Sequence, residues 1–164
     1  MPLTPFAATL FLVAAVPISI FVAWSDLRAM KIPNVAVYAL VGAYAVLGLI
    51  AFPLDQYLWH WLHLPIILVI GMVLNAVGAM GAGDAKFLAG AAPMVAPADV
   101  ALLIICLTAC VLVGVVTHKI AKHTPLRNLA PDWASWDQKN NRFPMGYPLG
   151  MTLIAYLGAV VALH

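Results

Sequence analysis

The sequence predicts an all-α protein: a polytopic membrane helix bundle of about six transmembrane segments, read as a single integral-membrane domain over residues 1–164. Three observations predict it. First, 65% of the residues are hydrophobic and 9% charged, against roughly 45–50% apolar and about 25% charged in a soluble domain. Second, the apolar residues run on for about 18 or more positions instead of alternating, which argues for helices and against an outer-membrane barrel. Third, one assignment of the crossings places every Lys and Arg on the same side, as the positive-inside rule expects.

The segments follow in order. The first, about 5–24, is long enough to span, and Trp24 suits an interface. Pro17 is tolerated in mid-span but is expected to kink the helix. Asp26, Arg28 and Lys31 come next. Ile32-Pro33-Asn34 then breaks the chain and opens segment 35–51, with Asn34 as its expected N-cap. Phe52 to Tyr57 turns the chain, and Tyr57, Trp59 and Trp61 suit the opposite interface. The third segment, about 62–79, carries Asn75, an expected interhelical hydrogen-bonding group. Residues 86–96 are short for a span, and Pro93, Pro97 and Asp99 interrupt the chain before the clear span 100–117.

Charge decides whether 86–96 crosses. If it does, Arg28, Lys31, Lys86, Lys119, Lys122, Arg127, Lys139 and Arg142 share one side, which is all 8 basic residues. If it does not, Lys86 parts from the later group. Crossing by a short or broken helix is therefore expected, with the N-terminus outside and Asp26 and Asp84 at the cytoplasmic face. His118 to Pro144 is the one long polar stretch. Its Asp132-Trp133-Ala134-Ser135-Trp136-Asp137 run is expected to lie on the membrane surface. The last segment, 145–163, starts in Pro- and Gly-rich backbone, which is tolerated at membrane depth where it is buried in protein or lines a cavity.

Several features call for no special chemistry. Cys106 and Cys110 lie one helical turn apart in an apolar run and read as small packing residues; a disulfide framework or zinc site would need more ligands. No metal, cofactor or nucleic-acid partner is expected. His60 and His63 read as surface or packing residues. The methionines read as helix packing. No Lys or Arg precedes Arg28, so the N-terminus is not an ordinary secretory signal.

Met80-Gly81-Ala82-Gly83-Asp84-Ala85-Lys86 stands out between two apolar segments. Ionisable groups at membrane depth are costly and face a cavity or a partner. Gly81 and Gly83 remove side chains just ahead of the carboxylate, so backbone or a peptide can approach it. Asp26 lies about 58 residues earlier, at the end of another apolar segment on the same face. If the two carboxylates converge, they share one proton, because two such groups in contact do not both ionise easily. The ionised member then takes a proton from water while the protonated one donates to a carbonyl under attack, with neither metal nor cofactor. Lys86 and Arg28 are placed to tune the pair, hold a substrate or meet lipid phosphate. The plainer reading makes Asp26 a solvated residue at a helix end and Asp84 a helix N-cap.

These residues resemble a family. Asp26, Arg28, Ile32, Pro33 and Asn34 look like D-x-R-x-x-x-I-P-N; Gly81 to Lys86 fits G-x-G-D-x-K; and Pro144, Gly146 and Pro148, with Gly150 two positions on, look more loosely like a late P-x-G-x-[AP]-x-x-x-G-like segment. The chain is similar to the type IV prepilin peptidases, the GxGD aspartyl proteases, and most closely to their short TadV/CpaA-like branch. The resemblance implies an endopeptidase of the bacterial inner membrane. It would remove the positively charged leader of a Flp/Tad-type prepilin or pseudopilin at the cytoplasmic face, just before the pilin's apolar helix, in contact with pilus-assembly machinery. Asp26 and Asp84 would be the catalytic pair. Gly81, Gly83, Lys86, Arg28, Pro33, Asn34 and Gly146 would bind substrate or support the pair. Longer members carry an N-terminal domain with paired cysteines and also N-methylate the product, so without a Cys-x-x-Cys this chain is expected to be a peptidase alone. The rival classes are a small transporter or channel component with buried aspartates for protons or ions, and a non-catalytic pilus-assembly protein. Asp-x-Arg around Asp26, in place of Tyr-Asp, argues against a presenilin-like protease.

Overall fold

In the computed structural model, which describes residues 1–136 and 143–163, seven α-helices follow one another: α1 (Pro5–Ala29), α2 (Asn34–Ala51), α3 (Leu54–Trp61), α4 (His63–Ala76), α5 (Ala82–Ala91), α6 (Val100–His123) and α7 (Gly146–Leu163). The bundle is all-α among the described residues. Helices α1 and α7 form its centre, and α2, α5 and α6 pack around them.

Thr4 caps α1: its Oγ1 accepts from the Ala7 amide, and Pro5 sits at the first helical position, where its missing N–H costs nothing. The buried residues of α1 recur every three or four positions: Ala7, Ala8, Phe11, Ala15, Ser19, Val22 and Asp26. That spacing is one face of a helix. Asp26 is the last member of the stripe, so helical periodicity buries it. The helix passes the predicted end at 24 and continues through Pro17, which faces outward. It stops at Met30, whose left-handed backbone (φ 53°) lets its amide bond the Asp26 carbonyl at 2.8 Å.

Pro33, not Asn34, takes the cap position of α2. The fixed φ of proline (−67° here) and an extended ψ hold Pro33 outside the helix, and Asn34 is already helical. The Asn34 side chain makes no capping bond and is bonded to Lys86 instead.

Tyr57 and Trp61 pin α3 to α2. Tyr57 stacks on Tyr44, Trp61 meets Tyr44 edge-on, and the Tyr44 hydroxyl donates to the Tyr57 carbonyl at 2.8 Å. Trp59 stays exposed, as an interface residue would. Helices α3 and α4 together make one apolar stretch, Leu54–Ala76.

Helix α5 has ten residues, about 15 Å long, against about 30 Å of hydrocarbon. Small residues let it sit inside the bundle: a Cβ on Gly71 of α4 would fall 2.7 Å from the Ala85 Cβ. Pro93 and Pro97 then break the chain into two 3-10 turns, Ala92–Met94 and Pro97–Asp99. His60 holds the first by bonding the Pro93 carbonyl at 2.9 Å through Nδ1, so it serves packing. At the far end, the Asp99 carboxylate accepts from the Leu3 amide (2.8 Å) and the Tyr156 hydroxyl (3.1 Å). Residues 82–99 thus run from one end of the bundle, at the Asp84 cavity, to the other, where Asp99 meets Leu3. Among the described residues, five stretches are long and apolar enough to cross a membrane: Pro5–Ala29, Asn34–Ala51, Leu54–Ala76, Pro97–His123 and Gly146–Leu163.

The α1–α7 contact depends on Gly150. A Cβ there would lie 2.8 Å from the Ser19 carbonyl oxygen and 3.2 Å from the Ser19 Cβ. Gly150→Ala is therefore expected to force the helices apart and cost about 1–3 kcal/mol. Thermal unfolding in detergent measures this, and an unchanged midpoint contradicts it.

The stretch after α6 turns its second tryptophan into the bundle, where a membrane-surface position was expected, while Asp132 and Ala134 stay exposed. Trp136 is buried and stacks between the His118 ring (5.1 Å) and Trp133 (5.8 Å), while its Nε1 donates to the Ala130 carbonyl at 2.7 Å. A flat imidazole partner and a satisfied indole N–H make the inward position favourable. Asp137, the end of that run, and Lys139 and Arg142, which entered the charge argument, lie outside the described residues.

Candidate active site

Asp26 and Asp84 come together. Both line one cavity of about 740 Å³ at the end of the bundle where α1 and α4 finish and α2, α5 and α7 begin. Four elements shape it. The last turn of α1 supplies Asp26, and the first turn of α5 supplies Asp84. The loop Met30–Asn34 and the residues Phe143 and Met145 ahead of α7 close the sides.

Asp26 is 6% exposed and is not the solvated residue of the plainer reading. Its Oδ2 accepts a 2.6 Å hydrogen bond from the Gly146 amide. That amide is at the first position of α7, where helix N–H groups lack partners inside the helix and the helix dipole favours negative charge. The short bond from a backbone donor suits an ionised acceptor.

Asp84 is not the N-cap of α5. Gly81 caps the helix, and Asp84 lies within its first turn, half-buried. Its position also explains Gly81. A Cβ on that glycine would sit 2.6 Å from Asp84 Oδ2, so no side chain fits without displacing the carboxylate. Gly83 is tight for another reason: a Cβ there would meet the Ile32 Cβ at 3.3 Å. This contact brings the Ile32-Pro33-Asn34 turn against the Gly81–Asp84 loop.

Asp84 lies outside the five long spans. Burial first, and then the negative charge of Asp26, push its carboxyl from 3.8 up to about 6, although the Gly81 amide pulls the other way. A group raised on folding adds stability below its unfolded value and loses it as pH rises through the folded one. The proton on Asp84 is therefore present at mildly acidic pH and lost as pH rises through about 6. If that proton is used in catalysis, kcat/KM is expected to fall as pH climbs past this value. A profile measured from pH 5 to 8 that stays flat contradicts the assignment.

The remaining predicted residues divide. Lys86 lines the cavity and donates from Nζ to Asn34 Oδ1 at 3.2 Å, joining α5 to α2 across its mouth. Pro33 shapes that turn from the cap position. Arg28 is exposed and lies over the Trp24 ring at 5.0 Å, on the outer side of α1 and away from the cavity lining. This arrangement fits a cation at a lipid headgroup better than one beside the dyad. Gly146 touches Asp26 directly: a Cβ there would lie 2.9 Å from the Asp26 Cβ.

Some residues escaped the sequence reading. Met30, Met80, Phe143 and Met145 line the cavity, an apolar wall around two carboxylates. Asn75 also lines it, and its Nδ2 donates to the Met80 carbonyl at 2.8 Å. It therefore shapes the loop before Gly81 instead of bridging helices. Its polar side chain in an apolar run, a few residues before the glycines, was the available signal. Among the described residues no cluster of His, Cys, Asp and Glu able to hold a metal occurs.

Comparison with curated proteins and with solved structures found no match to the chain. The model of the type IV leader peptidase family matches residues 9–118. That stretch contains Asp26, the Ile32-Pro33-Asn34 turn and the Gly81-Ala82-Gly83-Asp84 loop, and it ends before Gly146. The match covers well over half of the chain, and the protein therefore belongs to the type IV leader peptidase family.

Proposed function

We propose that the protein is an aspartyl endopeptidase of the bacterial inner membrane that removes the positively charged leader of Flp/Tad-type prepilins or pseudopilins at the cytoplasmic face. The observation that carries this reading is the placement of Asp26 and Asp84, 58 residues apart within the matched region, around one open cavity. Two carboxyl groups facing one cavity at the end of a helix bundle, one of them raised by burial and by its neighbour's charge, have the character of a reactive pair. The described basic residues support the orientation: Arg28, Lys86, Lys119 and Lys122 lie near the ends of α1, α5 and α6 at this same end of the bundle, and Lys31 and Arg127 lie in the segments just beyond α1 and α6. The positive-inside rule makes it the cytoplasmic end.

The roles follow from the two environments. Asp26, held by the Gly146 amide, is the ionised member. It takes a proton from water as the water oxygen attacks the scissile carbonyl carbon. Asp84, protonated, donates to the carbonyl oxygen as it becomes tetrahedral. On collapse, the C–N bond breaks, Asp26 returns its proton to the leaving amine and Asp84 recovers its own. The enzyme ends as it began, and no metal takes part in any step.

The direct test is the purified protein in detergent with a Flp-type prepilin, the products identified by mass. A single cut that separates the basic leader from the apolar helix is expected. Intact prepilin after prolonged incubation with a folded, inserted enzyme overturns the reading, and proton flux in vesicles then becomes the next assay.

A further inference from the structure

The cavity at the dyad is not the only space along α5. On the far side of Lys86 lies a second one, of about 390 Å³, almost wholly apolar. Its floor is α5 and α7, through Phe87, Leu88 and Leu149. Its walls are α4, through Ile67, and α6, through Leu103 and Leu107. Helices α4 and α6 make no substantial contact with each other, so the groove opens sideways between them. Both bear exposed apolar residues beyond its rim, Ile70 on α4 and Ile104 on α6, and the exposed Ile66 of α4 lines it.

The two spaces adjoin along shared elements. Asp84 lines the dyad cavity, and Leu88, four residues on along α5, lines the groove; Met145, just ahead of α7, lines the cavity, and Leu149 in the first turn of α7 lines the groove. Four residues are about one helical turn, or about 6 Å. A peptide bond held between Asp26 and Asp84 therefore has an apolar channel starting within one turn of it, leading away from the basic end of the bundle.

The geometry points to an occupant: the groove between α4 and α6 receives the apolar transmembrane helix of the substrate, which follows the scissile bond. The inference rests on the prepilin reading above. A substrate with a basic leader on one side of the cut and an apolar helix on the other matches a polar, charged cavity that passes into an apolar one. The volume accommodates apolar side chains of a helix lying against the opening, not a whole helix. The substrate helix would pack on the exposed faces of α4 and α6 and send a ridge of side chains inward. A register set this way fixes which peptide bond reaches the dyad.

Site-specific crosslinking tests it. A photoreactive residue replaces Leu103, Ile67 or, as a control on the exposed face of α2, Val46. Each is placed in the Asp84→Asn protein, which keeps substrate uncut, and mixed in membranes with full-length prepilin. Adducts with the prepilin from positions 103 and 67, and not from 46, are expected. Adducts from 46 alone, or from none of the three, overturn the proposal; the latter is the result if lipid fills the groove. A second measurement covers damage from the substitutions. Ala92→Phe, which fills the groove, is compared on full-length prepilin and on a soluble peptide that ends just past the cut. A selective rise in KM for the full-length substrate, of about ten-fold or more (about 1.4 kcal/mol), is expected, with kcat/KM for the peptide unchanged. Equal effects on both substrates, or no effect on either, overturn it. Unmodified enzyme that cuts prepilin while these results fail leaves the peptidase reading intact and removes only the groove. Unmodified enzyme that never cuts removes both.

Discussion

Replacing Asp84 with Asn is expected to abolish leader cleavage while the protein still inserts and folds, and Asp26→Asn is expected to do the same. Asparagine keeps the shape of the carboxylate and removes its acid–base chemistry. At Asp84 it removes the proton that the substrate carbonyl needs. At Asp26 it removes the base that takes a proton from water, though the amide oxygen can still accept from Gly146. Losing a positioned acid or base costs about 10²–10⁴-fold in rate. The substitutions also act differently on stability. Asp84 is half-buried and its carboxyl is raised by burial, so a neutral amide is tolerated there. Asp26 is 6% exposed and anchors α7. Asp26→Asn turns a bond to a charged acceptor into a bond to a neutral one, a loss of about 1 kcal/mol. Initial rates on prepilin, with melting in the same detergent, check both halves. Full activity in either variant contradicts the assignment.

The second large effect is expected at the glycines beside the pair. Gly81→Ala puts a methyl group 2.6 Å from Asp84 Oδ2. The obstacle is the free end of a side chain, so the carboxylate swings away and the fold survives. The backbone at Gly81 is extended (φ −69°, ψ 143°), which alanine adopts readily. The expected stability loss is below about 1 kcal/mol, yet a catalytic group moved by about 1 Å costs about 10²-fold in rate. Gly146→Ala differs because its methyl group meets the root of the Asp26 side chain, 2.9 Å from Cβ and 3.1 Å from Cγ. The root cannot swing aside, so the N-terminus of α7 must retreat and its bond to Asp26 lengthens. That variant is expected to lose both activity and about 1–3 kcal/mol of stability. Rates and melting curves side by side separate the two. An active Gly81→Ala enzyme, or a Gly146→Ala protein as stable as the wild type, contradicts the geometry.

Much of this was legible in the chain, for reasons that differ by residue. Asp26 continues a stripe at positions 8, 11, 15, 19 and 22, so its inward position follows from helical spacing alone. Asp84 announced itself as a charge between two apolar runs, preceded by glycines. Relations between distant segments were harder to read. Nothing near Gly146 in sequence says that its amide meets a carboxylate 120 residues earlier. Asn34 has the chemistry of a cap, and only the fixed φ of Pro33 beside it and the nearness of Lys86 give it another partner. Trp136 has the amphipathic character of a membrane-surface residue, and His118 turns it inward across the bundle end. Arg28 shares a motif with Asp26 but lies two residues on along the helix, on another face, over Trp24.

The claim on which the rest depends is that Asp26 and Asp84 act as one catalytic unit. Residues that act as a unit lose nearly everything with the first substitution, so their effects do not add. The deciding measurement is kcat/KM on one prepilin for the wild type, Asp26→Asn, Asp84→Asn and the double variant. A double variant no slower than the worse single variant is the expected result. A double loss equal to the product of the two single losses would mean that the carboxylates act independently, and the account of a shared proton would fail.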